Sequence, residues 1–161
     1  MPAPVTGIWF SNQLSYIRSQ TNQNLLNGGG VAAGDVDGDG RCDLYFCNLE
    51  GASALYRNQG GWKFEETGVA AGAACAHQCS RGATFADVNG DGAVDLLVSS
   101  TGGPNALLLN DGRGRFTDAT EAAGLKLRAG SQGLTLTDMD GDGDLDLYLA
   151  NYGENSMLRS G

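Results

Sequence analysis

A short acidic turn recurs three times in this chain at nearly constant spacing, and that period restricts the fold more than any other feature. Its fullest copy runs Asp138, Met139, Asp140, Gly141, Asp142, Gly143, Asp144, Leu145, Asp146. The same frame returns as Asp35, Asp37, Asp39, Gly40 and Asp43, and as Asp87, Asn89, Asp91, Gly92 and Asp95. The copies begin 52 and then 51 positions apart. A repeat of that length holds one supersecondary unit, so the unit must form three times and bury its apolar face against its neighbours.

The flanks of each turn carry their own pattern. A segment opening on Gly leads in (30–34, 82–86, 133–137), and a run of strand length leads out (44–47, 96–99, 147–150). These runs are too short for helices and rich in aromatic or branched residues, so each acidic turn reads as the tip of a hairpin. A third strand is expected at 54–58, 106–110 and 157–159. The turns Gln59-Gly60-Gly61 and Asp111-Gly112-Arg113-Gly114 then lead to a fourth, beginning at 62–64 and 115–117. Phe10 matches Phe64 and Phe116 in register, so the chain is expected to open on a fourth-type strand (8–12) and to end after a third. The connections 68–80 and 119–131 show no sustained helical period. The expected fold is all-β, a β-propeller of three four-stranded blades in permuted phase: one module over 1–161, with repeats at about 8–61, 62–114 and 115–161.

Acidic side chains at positions one, three, five and nine, with Gly at six to turn the chain sharply, are the pattern by which a short loop wraps oxygens around Ca²⁺. The expected side-chain ligands of the first loop are Asp35, Asp37, Asp39 and Asp43, with the carbonyl of Arg41. The second uses Asp87, Asn89, Asp91 and Asp95 with the carbonyl of Ala93. The third uses Asp138, Asp140, Asp142 and Asp146 with the carbonyl of Asp144, giving three Ca²⁺ per chain. Phe46, Val98 and Leu149 stand at position twelve in place of Glu, so these are hairpin turns and not helix–loop–helix hands. One Asp-Gly turn is ordinary in a β protein. Four carboxylates within nine residues, repeated in register, repel one another unless a cation lies among them, and a shell of many oxygens suits Ca²⁺ over Mg²⁺.

At these residues the chain resembles a known family. Its units look like the FG-GAP or VCBS-type repeats of integrin-α-like β-propellers. The pieces Phe116-Thr117-Asp118-Ala119-Thr120, Ala123-Gly124-Leu125 and the loop from Asp138 to Asp146 are similar to the bacterial propellers grouped with ASPIC/UnbV proteins. The resemblance covers roughly 8–159 and implies a Ca²⁺-stabilised propeller used for binding or scaffolding, usually outside the cell. Such propellers commonly have seven blades, against three repeats here.

Of the 19 acidic residues, twelve lie in the three loops, so most of the formal −9 charge is accounted for by metal sites. That balance offers no cationic face to nucleic acid or an anionic membrane, and no stretch approaches the ~20 apolar residues of a membrane span. Met1-Pro2-Ala3-Pro4 lacks the basic and apolar regions of a signal peptide. Cys42, Cys47, Cys75 and Cys79 form an even set, which together with loops suited to millimolar calcium points to an extracellular or periplasmic compartment. Four cysteines allow three disulfide connectivities; local Cys75–Cys79 closure is the more feasible bond. Cys75, His77 and Cys79 also fit part of a Zn²⁺ site, but only Cys42 and Cys47 remain to complete it.

His77 is the only histidine, and neither a Gly-x-Ser-x-Gly elbow nor a phosphate-binding loop is present. The expected function is therefore a non-catalytic Ca²⁺-binding module for extracellular adhesion, scaffolding or assembly. The alternative is the propeller portion of a secreted carbohydrate-active lyase or hydrolase, or a lectin, with Trp9, Tyr16, Trp62, Tyr148 and Tyr152 as a surface for sugar or protein. Expected partners are a second copy or the remaining blades of a longer propeller, and a protein or glycan ligand. In the first case a head-to-tail homodimer has six blades, the strand 8–12 of each chain completing the other's third blade.

Overall fold

The computed structural model describes residues 3–21, 23–126 and 130–152. Among these residues ten antiparallel strands form three sheets. The first holds β1 (Val31–Gly34), β2 (Asp43–Phe46), β3 (Ala54–Asn58) and β4 (Phe64–Glu66), paired in that order. The second repeats it with β5 (Ser80–Ala86), β6 (Asp95–Ser100), β7 (Ala106–Asn110) and β8 (Phe116–Asp118). The third pairs β9 (Gly130–Thr137) with β10 (Asp146–Tyr152). Among the described residues there are thus two four-stranded sheets and one two-stranded sheet, where three four-stranded units were expected; the third strand expected at 157–159 lies outside them. The repeat frame 8–61, 62–114, 115–161 counts from the strand that closes each sheet, so the sheets run out of phase with it.

Each strand divides its side chains between two faces, as a pleated backbone requires. On β2, Tyr45 and Cys47 beyond its end enter the main core, while Leu44 and Phe46 face the other way. Leu55 of β3 joins Tyr45, and Leu96, Val98, Leu108 and Phe116 of the second sheet meet them, with Ala71 and Ala73 of the connection. The main core therefore lies between the first two sheets. Burying side chains such as Leu55, Leu96 and Val98 stabilises the fold by roughly 1.5–3 kcal/mol each. The leading strands lie side by side, β1 against β5 and β5 against β9. The Gly30 N–H donates to the Arg81 carbonyl (2.6 Å) between the first two sheets, and Asn105 Nδ2 donates to Ser131 Oγ (3.0 Å) toward the third.

The N-terminal region departs from expectation. Residues 8–12 form no strand; they follow a short helix α1 (Ala3–Thr6) and precede α2 (Tyr16–Thr21) and a 3₁₀ turn over Gln23–Asn27. Gly7, at φ +77°, lies so close to the Phe64 carbonyl that a Cβ would stand 2.5 Å from it; Gly72, at φ +78°, lies the same way on the Phe116 carbonyl. Residues 3–7 thus occupy on the first sheet the place that 67–72 occupy on the second, and Ile8 is already past the fourth-strand position. Ile8 and Phe10 cover the outer face of the first sheet with Phe46, Tyr56 and Phe64, Phe10 stacking on Phe46 at 5.1 Å between ring centroids. Residues 8–12 thus pack across the first sheet of this chain where a strand was expected.

Candidate metal centres

The three acidic turns join β1 to β2, β5 to β6 and β9 to β10, so each is closed by an antiparallel pair at its mouth: Gly34 with Asp43, Ala86 with Asp95, Thr137 with Asp146. Position one ties down the loop's own backbone. Asp35 accepts the N–H groups of Asp39 (3.1 Å) and Gly40 (2.7 Å), Asp87 those of Gly90 (2.8 Å), Asp91 and Gly92 (2.9 Å), and Asp138 those of Gly141 and Gly143. These amides, that of Gly92 foremost, hold the Asp87 carboxyl below its usual range.

The loops then differ in what converges. In the first, Asp35, Asp37 and Asp39 each bring one oxygen within 4.8 Å of the others; in the third, Asp138, Asp140 and Asp146 do so. Asp142 stands outside that group, its Oδ1 accepting the Asp144 N–H (2.9 Å). The second loop brings no three carboxylates together, because Asn89 fills position three and bonds to Asp91 (2.9 Å). Arg41, Ala93 and Asp144, expected to lend carbonyls, all stand at the seventh position.

In the first two loops position nine serves the backbone, and Asp43 stands outside the group that Asp35, Asp37 and Asp39 form. Asp43 is fully buried; its Oδ2 accepts the Val36 N–H (2.9 Å) and its Oδ1 the Asn58 N–H (2.7 Å) at the end of β3. Asp95 repeats this with Val88 (3.1 Å) and Asn110 (2.8 Å). Burial pushes the Asp43 carboxyl up, and the Asn58 and Val36 amides partly hold it down. Asn58 and Asn110 complete the clamp: Asn58 Nδ2 donates to the Cys42 carbonyl, and Asn110 Nδ2 to those of Val94 and, across the sheets, Val36 (2.8 Å). This Asp–Asn clamp was not anticipated, although the recurrence of Asn at the end of both third strands was a visible signal. Also missed were two guanidiniums at the first loop: Arg57 pairs with Asp37, and Arg41 with Asp39.

All four cysteines are free thiols, which corrects the expected Cys75–Cys79 bond. The two face different clusters: Cys75 packs on the main core beside Cys47 and Tyr45, while Cys79 joins Leu25 and Leu49. No His or Cys group converges among the described residues.

A family model described as an FG-GAP-like repeat matches residues 35–98 and 87–149, each match beginning at the first Asp of a loop. The chain belongs to the FG-GAP-like repeat family. This FG-GAP-like chain is similar to cartilage acidic protein 1 of Mus musculus, 33% identical over 134 residues that cover 80% of the chain and 20% of that protein. It is also similar to the protein of that name from Xenopus tropicalis, 28% identical over 158 residues, 92% of the chain and 24% of the relative. For Homo sapiens the figures are 29% over 132 residues, 80% and 20%. The chain spans about a fifth to a quarter of the length of the curated relatives it matches. No helix among the described residues is long and apolar enough to cross a membrane.

Proposed function

We propose that this chain is a non-catalytic, Ca²⁺-binding piece of a β-propeller that serves adhesion, scaffolding or assembly outside the cell. The observation that carries the reading is in the first loop, where three carboxylates converge and the Oδ1 of Asp37, on a side chain only 7% exposed, has no hydrogen-bond partner. A buried oxygen left so costs roughly 1–3 kcal/mol or more, and a divalent cation among the three carboxylates removes that cost. Ca²⁺ would be held by the side chains of Asp35, Asp37, Asp39 and Asp43, by Asp87, Asn89, Asp91 and Asp95, and by Asp138, Asp140, Asp142 and Asp146, with the carbonyls of Arg41, Ala93 and Asp144. It supplies charge neutralisation and a cross-link through each hairpin tip. In the first two loops the carboxylate at position nine, bound to two amides, ties that tip to the end of the third strand.

The propeller reading is supported by two sheets of identical strand order whose leading strands lie side by side with that of the third. The extracellular reading is supported by relatives named for cartilage and by exposed carboxylate loops of the kind that work at millimolar calcium. Partners on this reading are further blades or a second copy of the chain. Calorimetric titration of chelator-treated protein with Ca²⁺ should give three sites per chain, with Mg²⁺ far weaker. A flat heat trace, together with a Tm indifferent to EDTA, refutes the reading.

A further inference from the structure

The first loop carries its own cations. Arg57 on β3 directs Nη2 to Asp37 Oδ2, and Arg41 directs Nη2 to Asp39 Oδ2 and Nε to the Asn58 carbonyl (2.8 Å). The strand registers identify what stands at the same places in the second unit. Leu44 faces Tyr56 as Leu96 faces Leu108, so Arg57 corresponds to Leu109 and Arg41 to Ala93. Two of the four first-loop carboxylates are therefore matched by guanidiniums, and both of those cations are replaced by apolar residues in the second unit. The Arg57–Asp37 pair is only half made. Asp37 Oδ1 and Arg57 Nε both lack partners, whereas a bidentate guanidinium–carboxylate pair would use both. A carboxylate of the group formed with Asp35 and Asp39, held by one arm and with its other oxygen buried and unpartnered, is positioned to exchange one cation for another.

We propose that Arg57 is the resident counter-cation of the first loop, competing with a divalent metal for Asp37 and lowering this site's affinity for it. The proposal rests on the Ca²⁺ reading above. Bringing a dication to Asp37 means displacing the guanidinium or seating the ion beside a positive charge, and either lowers affinity. In the absence of metal the same guanidinium screens Asp37 from its acidic neighbours and keeps the loop closed.

The test uses the full chain and the variants R57L, R57Q and R57K, titrated with Ca²⁺ by calorimetry at fixed ionic strength and melted in EDTA and in Ca²⁺. R57L and R57Q should tighten one class of site about tenfold, as expected for removing one partly buried competing charge, and leave the other classes unmoved. R57K should resemble the parent. Adding D37N to R57L should abolish the tightened class, which assigns it to the first loop. R57L should melt lower than the parent in EDTA, with the gap closing in Ca²⁺. The absence of a tightened class in both R57L and R57Q overturns the proposal and leaves the Ca²⁺ reading standing. So does an equal loss of Tm in EDTA and Ca²⁺, which would make Arg57 a packing residue only. A parent chain that takes up no Ca²⁺ refutes the reading beneath the proposal, a result recognisable before any variant is made.

Discussion

Asp95 has no exposed surface, yet it is a carboxylate, and what makes that tolerable is two backbone amides from different elements. Asp95→Ala leaves the Val88 and Asn110 N–H groups without an acceptor, so about 2–4 kcal/mol of stability should be lost. Urea unfolding in EDTA is the right measurement, because metal loss then contributes nothing to the difference. Asp91→Ala, at an exposed position five, should leave stability in EDTA within about 0.5 kcal/mol and weaken only Ca²⁺ binding. Position nine was legible as acidic and periodic, but its clamp was not, since its partners lie 7 and 15 residues away and meet it only when the strands pair. Cys47 gives a second residue-scale prediction. Burial, with Cys75 nearby, pushes its thiol from 9.0 up to about 12. The folded state then holds that proton more tightly than the unfolded chain, so this contribution to stability is full below pH 9 and lost as pH rises toward 12. Iodoacetamide at pH 8 should therefore modify exposed Cys42 and spare Cys47 until the chain unfolds. Modification of Cys47 in the native state at a rate comparable to Cys42 would contradict its placement in the core.

At the scale of the element, hairpins were readable because their signals are local: Gly before, acidic turn, then an apolar run. The third strands form over the residues expected, Ala54–Asn58 and Ala106–Asn110. The segment 8–12 misled because Phe10 stands one repeat from Phe64, and sequence spacing cannot tell a fourth strand from a segment that packs across the same sheet. What separates them is tertiary, the close approach of Gly7 to Phe64 and of Gly72 to Phe116. Gly72→Ala should therefore combine the strain of a left-handed Ala with a Cβ placed 2.6 Å from the Phe116 carbonyl, for a loss of roughly 2–4 kcal/mol. Gly124, at φ +70° with nothing nearby, isolates the first effect. Gly124→Ala should lose only about 1 kcal/mol. Equal losses for the two, compared by urea midpoints at constant slope, would remove the close approach as the reason residues 67–72 lie where they do.

For the whole molecule the question is which cohesion is internal to the chain and which depends on another. The repeat period made two like sheets foreseeable, but the ownership of the N-terminal segment was not, because pairing within a chain and between chains satisfies the same residues. Within this chain Phe10 stacks on Phe46, the Trp9 N–H donates to Tyr56 Oη (3.1 Å), and Asn12 Oδ1 accepts the Leu49 N–H (3.0 Å). Phe10→Ala removes a half-buried ring from the cluster of Phe46, Tyr56 and Phe64 and should lower stability by about 2–3 kcal/mol. Because that contact is intramolecular, the loss should be the same at every protein concentration. A strand exchanged between copies would behave otherwise: its Tm would rise with concentration in the parent and the dependence would vanish in the variant, since association enters the stability by mass action. Melting both proteins across a hundredfold range of concentration, in Ca²⁺ so that the loops are closed, separates the two. A concentration-dependent Tm abolished by Phe10→Ala would return the segment to a partner chain; a constant offset between the two proteins places it on its own.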